Sequence, residues 1–134
     1  MRFIGKFGEY LALTRLLEND IEAYPAIKAN QDSYDLTAIS LSGRIVRIQV
    51  KTTDLHNKST NNTIGCLARD FDFLVVVVVH GERVADCYVL THAEAHELRG
   101  TSKLLGISRK VKLISVVKHE ITAHKEKWDR IRDA

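Results

Sequence analysis

The chain has 134 residues, of which 45% are hydrophobic and 28% are charged, and its formal net charge is +3. This length and composition are those of one ordinary globular domain that can bury a hydrophobic core without disulfide bonds. The most apolar run, residues 73–79, is too short to span a bilayer. The two cysteines, Cys66 and Cys87, form neither a zinc-binding spacing nor a disulfide framework, and no signal peptide is evident, so we expect a reduced, cytoplasmic protein.

The basic residues are concentrated towards the end of the chain. Residues 1–98 carry 10 Lys and Arg against 13 Asp and Glu, whereas residues 99–134 carry 10 against 4. Such an uneven distribution suggests a surface that faces a polyanion. A solvated basic helix would explain the same charge equally well.

The first half of the chain predicts a helix followed by strands. Apolar residues at spacings of three and four predict a helix over residues 3–18, with one apolar face. That predicted face consists of Phe3, Phe7, Tyr10, Leu13 and Leu17. A short edge strand around Pro25 follows. Residues 34–41 and 45–52 then predict two strands joined at the turn signal Ser42-Gly43.

The second half predicts a buried hairpin and flanking helices. The polar residues 54–63 indicate a surface loop, and the β-branched run 73–79 indicates a strand buried on both faces. An antiparallel neighbour is expected at residues 86–90. Thr91 and Glu94 have the spacing of a capping box, which predicts a short helix to about residue 98. Residues 112–117 predict a strand and residues 122–133 a closing helix anchored by Trp128.

The strand over residues 45–52 carries the first candidate chemistry. Because side chains alternate along a strand, Arg47, Gln49 and Lys51 share one face, opposite the apolar one. Taken alone, this is what any half-buried strand shows, and a solvent-facing Lys51 is the simpler interpretation.

Two acids upstream change that balance. Asp35 opens the preceding strand, and Glu9 borders the apolar arc of the helix, where an acid costs desolvation unless it has a partner. A two-residue turn would pair Leu36 with Gln49 and direct Asp35 away. A three-residue turn or a bulge would put Asp35 opposite Gln49, and we predict this odd-length arrangement.

Glu9, Asp35 and Gln49-Val50-Lys51 resemble the PD-(D/E)XK nuclease superfamily. Their order and spacing are similar to those of archaeal Holliday junction resolvases, and the glutamine variant resembles the group I intron homing endonuclease of this superfamily. The stretch Gly5-Lys6-Phe7-Gly8-Glu9 resembles the glycine-flanked helix start of those relatives. The chain departs from the pattern by having Tyr34 where a proline is usual and Gln49 where an acid is usual.

The resemblance covers roughly the first 90 residues and implies an α/β (α+β) restriction-endonuclease-like core, a central mixed β-sheet flanked by helices. The length of the chain indicates a single domain over residues 1–134. The resemblance also implies a Mg²⁺- or Mn²⁺-dependent endonuclease that hydrolyses double-stranded or branched DNA in homing, restriction, repair or junction resolution. Asp35, Gln49 and the Val50 carbonyl would hold the metal, Glu9 would act through a metal-bound water, and Lys51 would position the attacking water or the phosphate.

The expected partners are DNA and a second copy of the chain, because two strands need two sites. The candidate phosphate contacts are Lys6, Arg47, Lys58, Arg109, Lys110 and Lys112. Two alternatives stay open: a catalytically weak or inert DNA-binding module, because Gln49 supplies one less negative charge, and a structural subunit of a larger assembly.

Two other patterns are interpreted as ordinary surface residues. His92 and His96 have a spacing that can hold zinc, but without an evident third ligand we interpret them as surface histidines. Asp70 and Asp72 could be further site acids, although solubilising residues at a strand end are the simpler interpretation.

Overall fold

A computed structural model describes residues 2–26, 33–55, 63–65, 67–68, 70–81, 84–99, 105–106, 108–111, 114–117 and 119–134. In chain order its elements are α1 (Ile4–Glu18), β1 (Glu22–Pro25), β2 (Leu36–Ile39), β3 (Ile45–Asp54), β4 (Thr63–Ile64), β5 (Phe73–Val79), β6 (Ala85–Thr91), α2 (His92–Arg99), β7 (Leu105–Gly106), β8 (Ser108–Val111), β9 (Ile114–Val117), α3 (His119–Thr122) and α4 (Asp129–Arg132).

A mixed five-stranded sheet in the order β1-β2-β3-β5-β6 forms the centre of the fold. Strands β3 and β5 run parallel, and the other neighbouring pairs run antiparallel. All residues of β5 are buried, as its unbroken apolar sequence predicts. The predicted architecture, a mixed sheet with flanking helices, is therefore confirmed.

Two apolar clusters lie on opposite faces of the sheet, because alternate residues of β5 belong to different clusters. The first cluster contains Val75 of β5 together with Ala12 and Leu16 of α1. The second contains Val76 of β5 and Ala95 of α2. The chain thus forms three layers, with α1 on one face of the sheet and α2 on the other.

Helix α1 confirms the predicted element but not its predicted apolar face. Its buried residues are Gly8, Ala12 and Leu16, whereas Phe3, Tyr10 and Leu17 are 65%, 61% and 53% exposed, and Phe7 and Leu13 are half-buried. The small residues decide which face docks. A Cβ added at Gly8 would lie 1.8 Å from Oγ1 of Thr52 on β3, so only a glycine permits this close approach.

The capping box predicted at the start of α2 is confirmed. The Glu94 N–H donates to Thr91 Oγ1 at 3.1 Å, and the Thr91 N–H donates to Glu94 Oε1 at 2.8 Å. These reciprocal bonds satisfy backbone donors that the first helical turn leaves without partners.

The single closing helix predicted over residues 122–133 is wrong. Between α3 and α4 the chain pairs with the free edge of β6: the Val89 N–H donates to the His124 carbonyl and the Glu126 N–H donates to the Cys87 carbonyl, both at 2.9 Å. Glu126 has φ of 54°, which a helix does not allow. Trp128 is 2% exposed and anchors the segment as predicted. Tertiary pairing at an open sheet edge therefore overrides the helical pattern.

The remaining differences are small. Strands β4, β7 and β8 are not predicted from the sequence, and β9 matches the described part of the strand predicted over residues 112–117. Residues 56–62 of the predicted surface loop lie outside the described residues. In the part of the chain that is described, no helix is long and apolar enough to cross a membrane.

Candidate functional site

The hairpin of β2 and β3 sets the geometry of the candidate site. The Ser40 N–H donates to the Arg44 carbonyl at 3.0 Å, which leaves a turn of three residues, 41–43. Gly43 closes this turn with φ of 83°, a conformation that favours glycine. Leu36 consequently pairs with Ile48, so the predicted odd-length turn is confirmed.

Asp35 occupies a bulge at the end of this hairpin. Its N–H donates to the Ile48 carbonyl at 2.8 Å, so Asp35 and Leu36 both lie opposite Ile48. The predicted pairing of Asp35 with Gln49 is therefore wrong. A β-bulge redirects the side chain of its extra residue, and here it directs the Asp35 carboxylate towards the backbone of β3.

The Asp35 carboxylate is held on the backbone of β3 beyond the last β2–β3 pair. Its Oδ2 accepts a hydrogen bond from the Val50 N–H at 2.7 Å. Burial is the largest cause of a raised pKa for Asp35, and the Glu9 charge raises it further, while the Val50 N–H, Lys51 and Lys6 lower it. Two acids and two lysines therefore share one electrostatic neighbourhood, as the order of the elements predicts.

Glu9 reaches this neighbourhood because α1 lies unusually close to β3. Gly8, the residue before Glu9, packs against Thr52, which lies two residues beyond Val50. The Lys6 Nζ lies 3.1 Å from Glu9 Oε2, with side chains that are 71% and 29% exposed. The spacing of three residues between opposite charges on a helix could have indicated this pair from the sequence. The close approach at Gly8 is explained only by the fold.

Gln49 lies on the same strand but its side chain is already engaged. The residue is 5% exposed, and its Oε1 accepts a hydrogen bond from the Ala68 N–H at 3.1 Å. An amide oxygen has a second lone pair, so one further interaction is available to it. No sequence signal pointed to the backbone of Ala68 as a partner.

Arg47 forms an ion pair with Asp72, the residue just before β5. Asp72 Oδ2 accepts hydrogen bonds from the Arg47 N–H at 2.8 Å and from its Nε at 3.4 Å. Burial alone would raise the pKa of Asp72, but these bonds and the charge of Arg44 outweigh it and lower the pKa. Asp72 therefore fixes the start of β5 against β3, and a phosphate contact by Arg47 would have to compete with it.

The other predicted DNA contacts lie elsewhere or outside the described residues. Arg109 and Lys110 are on β8, in a two-stranded sheet with β9. Lys58 and Lys112 lie outside the described residues.

The His92 ring of α2 lies between the rings of His96 and Phe71, with centroids 4.3 Å from His96 and 4.6 Å from Phe71, both pairs tilted by 42°. Within the described ranges, no group of three or more His, Cys, Asp and Glu is placed to hold a metal.

The donors around Asp35 nevertheless suit a hard cation. The N–H and the carbonyl of a strand residue point to the same edge of the strand. Because the Val50 N–H donates to Asp35, the Val50 carbonyl lies on the same edge as Asp35. The Asp35 and Glu9 carboxylates and this carbonyl are oxygen ligands, the type that Mg²⁺ prefers, and the second lone pair of the Gln49 amide is of the same type. A bound cation would also relieve the unfavourable burial of the Asp35 charge.

Comparison with known proteins gives a structural relationship without a sequence relationship. No protein-family model matches the chain, and no curated protein matches it by sequence. Among solved structures, the bacterial homing endonuclease I-Ssp6803I matches with a TM-score of 0.68 and 20% identity, over 98% of this chain and 92% of that one. This chain therefore has the fold of a homing endonuclease over nearly its whole length.

Proposed function

We propose that this chain is a Mg²⁺-dependent endonuclease that hydrolyses phosphodiester bonds of double-stranded DNA. The observation that carries the proposal is the half-buried Asp35 carboxylate, held 2.7 Å from the Val50 nitrogen, with Glu9, Lys51 and Lys6 as its charged neighbours. A perturbed acid next to lysines at a strand end is characteristic of functional sites. The structural similarity to a homing endonuclease supports the same reaction class.

In this proposal the chain supplies oxygen ligands and two ammonium groups. Asp35 and the Val50 carbonyl would hold the metal, Gln49 would contribute its remaining lone pair, and Glu9 would act through a water. When bound at these residues, Mg²⁺ (or Mn²⁺) would supply Lewis-acid chemistry, which neutralises charge on the phosphate and activates water. Lys51 orients the attacking water or stabilises the phosphate.

The substrate would be held by the cations around the site. Lys6 is well exposed and contacts a phosphate oxygen in this proposal, and the basic end of the chain extends the DNA-binding surface. Cleavage of both strands requires two sites, so the proposed active form is a homodimer or higher homo-oligomer. The proposed products carry 5′-phosphate and 3′-hydroxyl ends.

A second candidate, a DNA-binding module without effective catalysis, is favoured by one observation. The Gln49 oxygen is neutral, buried and already hydrogen-bonded to the Ala68 N–H. Such an oxygen would bind a metal more weakly than a carboxylate would, so cleavage would be slow or absent while phosphate contacts remain.

A cleavage assay distinguishes the two candidates. The protein is incubated with supercoiled, linear and branched DNA, in Mg²⁺ and in chelator, beside Asp35→Asn, Lys51→Ala and the control Leu41→Ala. Leu41 is 78% exposed in the β2–β3 turn, at the opposite end of the hairpin from Asp35. The nuclease proposal expects Mg²⁺-dependent cleavage by the wild type and the control only, with a loss of at least about 100-fold for Lys51→Ala. Salt-sensitive DNA binding without cleavage would establish the binding module, and the absence of both would reject both candidates.

A further inference from the structure

Two arginines share one carboxylate at the point where β3 and β5 begin. Asp72 Oδ1 accepts hydrogen bonds from Arg44 Nη2 at 3.3 Å and from Arg47 Nη2 at 3.5 Å, and Asp72 Oδ2 accepts one from Arg47 Nε at 3.4 Å. Burial opposes the ionisation of Asp72, but the hydrogen bonds and charges of the two arginines outweigh it and lower its pKa. Arg44 and Arg47 on Asp72, here called the arginine pair, therefore keep one net positive charge at neutral pH.

The two guanidinium groups lie nearer the solvent than the carboxylate that holds them. The side chains of Arg44 and Arg47 are 56% and 43% exposed, whereas that of Asp72 is 15% exposed. Each guanidinium has five N–H donors, and Arg44 uses one and Arg47 two on Asp72, so among the described contacts most donors remain for a second anion. An approaching phosphate would meet two planar cations, whose donors match its oxygens, before it met the carboxylate.

Asp72 is itself fixed by the backbone around it. Its Oδ2 accepts a hydrogen bond from the Arg47 N–H and its own N–H donates to the Arg47 carbonyl, both at 2.8 Å. Its carbonyl accepts a hydrogen bond from the His92 N–H at 3.2 Å. These bonds join β3, β5 and α2 at the residue that orients both guanidinium groups. Side chains that are oriented before a ligand arrives lose less entropy when they bind it.

The arginine pair lies on the same strand as the candidate site. Val46 and Ile48 of β3 pack in the apolar cluster that contains α1. Because side chains alternate along a strand, Arg47 and Lys51 point to the opposite face of the sheet. The four residues between them span about 13 Å of strand, roughly the axial length of four nucleotides. A DNA strand with its scissile phosphate at Lys51 can therefore bring another of its phosphates to the arginine pair.

We propose that the arginine pair is a phosphate-binding subsite that holds the DNA backbone a few nucleotides from the scissile bond. Asp72 is the residue that positions both guanidinium groups, and the phosphate shares them with Asp72 without displacing it. The inference rests on the proposed function, because it takes DNA as the ligand. It adds Arg44 as a DNA contact and makes Asp72 a support for the contact of Arg47.

Equilibrium binding of fluorescent duplex DNA in chelator, measured over a range of salt concentrations, tests the subsite without cleavage. Arg44→Ala should weaken binding by at least about fivefold. It should also reduce the slope of log affinity against log salt by about 1, the effect of one lost phosphate contact. Arg15→Ala is the matched control, because it also removes one guanidinium from an ion pair, with Glu18 of α1, at the other face of the sheet. The affinity and slope of Arg15→Ala should be those of the wild type.

Arg44→Lys distinguishes oriented hydrogen bonds from a general effect of charge. Lysine keeps the positive charge, so the salt slope should remain, but its ammonium lacks the planar donors that contact Asp72 and a phosphate together. We expect the affinity of Arg44→Lys to fall by about threefold or more, with circular dichroism confirming that each variant is folded. If Arg44→Ala binds as tightly as Arg15→Ala, or Arg44→Lys as tightly as the wild type, the subsite is refuted and the nuclease proposal stands. A wild type that binds no DNA would overturn both.

Discussion

Gly8→Ala is the substitution that most directly tests how α1 positions Glu9. The added Cβ would lie 1.8 Å from Thr52 Oγ1, 2.9 Å from its Cβ and 3.0 Å from its Cγ2. Rotation of the Thr52 side chain moves the oxygen but leaves the Thr52 Cβ in place, so α1 and β3 must separate. Ordinary contact begins at 3.4 Å, and overpacking of this kind costs about 1–3 kcal/mol.

Helix propensity opposes this cost, since alanine favours a helix by about 0.5–1 kcal/mol over glycine. The expected net loss for Gly8→Ala is about 1–2 kcal/mol of unfolding free energy, or roughly 3–7 °C in Tm for a chain of this length. Gly5→Ala is the matched control, because a Cβ there meets nothing within 4 Å. That control should be neutral or stabilising.

Urea denaturation of both variants measures these differences. Thr52→Ala removes Oγ1 and Cγ2, so it should recover part of the loss in a double variant with Gly8→Ala. If Gly8→Ala is as stable as Gly5→Ala, or if Thr52→Ala recovers nothing, the close contact of α1 with β3 does not exist as described.

Two further predictions concern titratable groups. Burial would raise the pKa of Glu94, but the hydrogen bonds from Arg130 and with Thr91 outweigh it and lower the pKa to about 2. The ionised Glu94 therefore contributes its full stabilisation of the fold above the ordinary pKa of 4.5, and this contribution is lost as pH falls towards 2. Urea denaturation across that window should show a shallower pH dependence for Glu94→Gln, and an unchanged dependence would contradict the assignment. Burial raises the pKa of the Cys87 thiol to about 12, so in a Cys66→Ser background a thiol reagent should modify Cys87 only after unfolding; rapid labelling of the native protein would refute this.

The parts of the fold that were predictable are those that local pattern determines. The β-branched run of β5, the capping box at Thr91 and the odd-length turn at Gly43 each follow from spacing and residue type within a few positions. The position of Trp128 in the core follows from its size and apolar character. Local pattern did not determine which face of α1 would dock, because that depends on the small residue Gly8 meeting Thr52 far away in sequence.

Some features of the candidate site were also predictable from the sequence, and others were not. The grouping of Glu9, Asp35 and Lys51 follows from the order of the elements. The bulge at Asp35 and the engagement of Gln49 by the Ala68 N–H depend on backbone geometry that a side-chain pattern does not encode. Alternation along β3 predicts that Arg47, Gln49 and Lys51 share one face, but it does not predict which group each side chain contacts.

The central claim, that Asp35 is the anchor of a metal site, is tested most directly by a metal-dependent thermal shift. Because burial raises the pKa of Asp35, its charge costs stability at neutral pH, and Asp35→Asn keeps an acceptor for the Val50 N–H without that cost. Without metal, Asp35→Asn should be at least as stable as the wild type. At a Mg²⁺ concentration 100 times Kd the wild type should gain about 2.7 kcal/mol, roughly 10 °C, and Asp35→Asn should gain nothing. An equal shift in both proteins, or none in the wild type, would contradict the account.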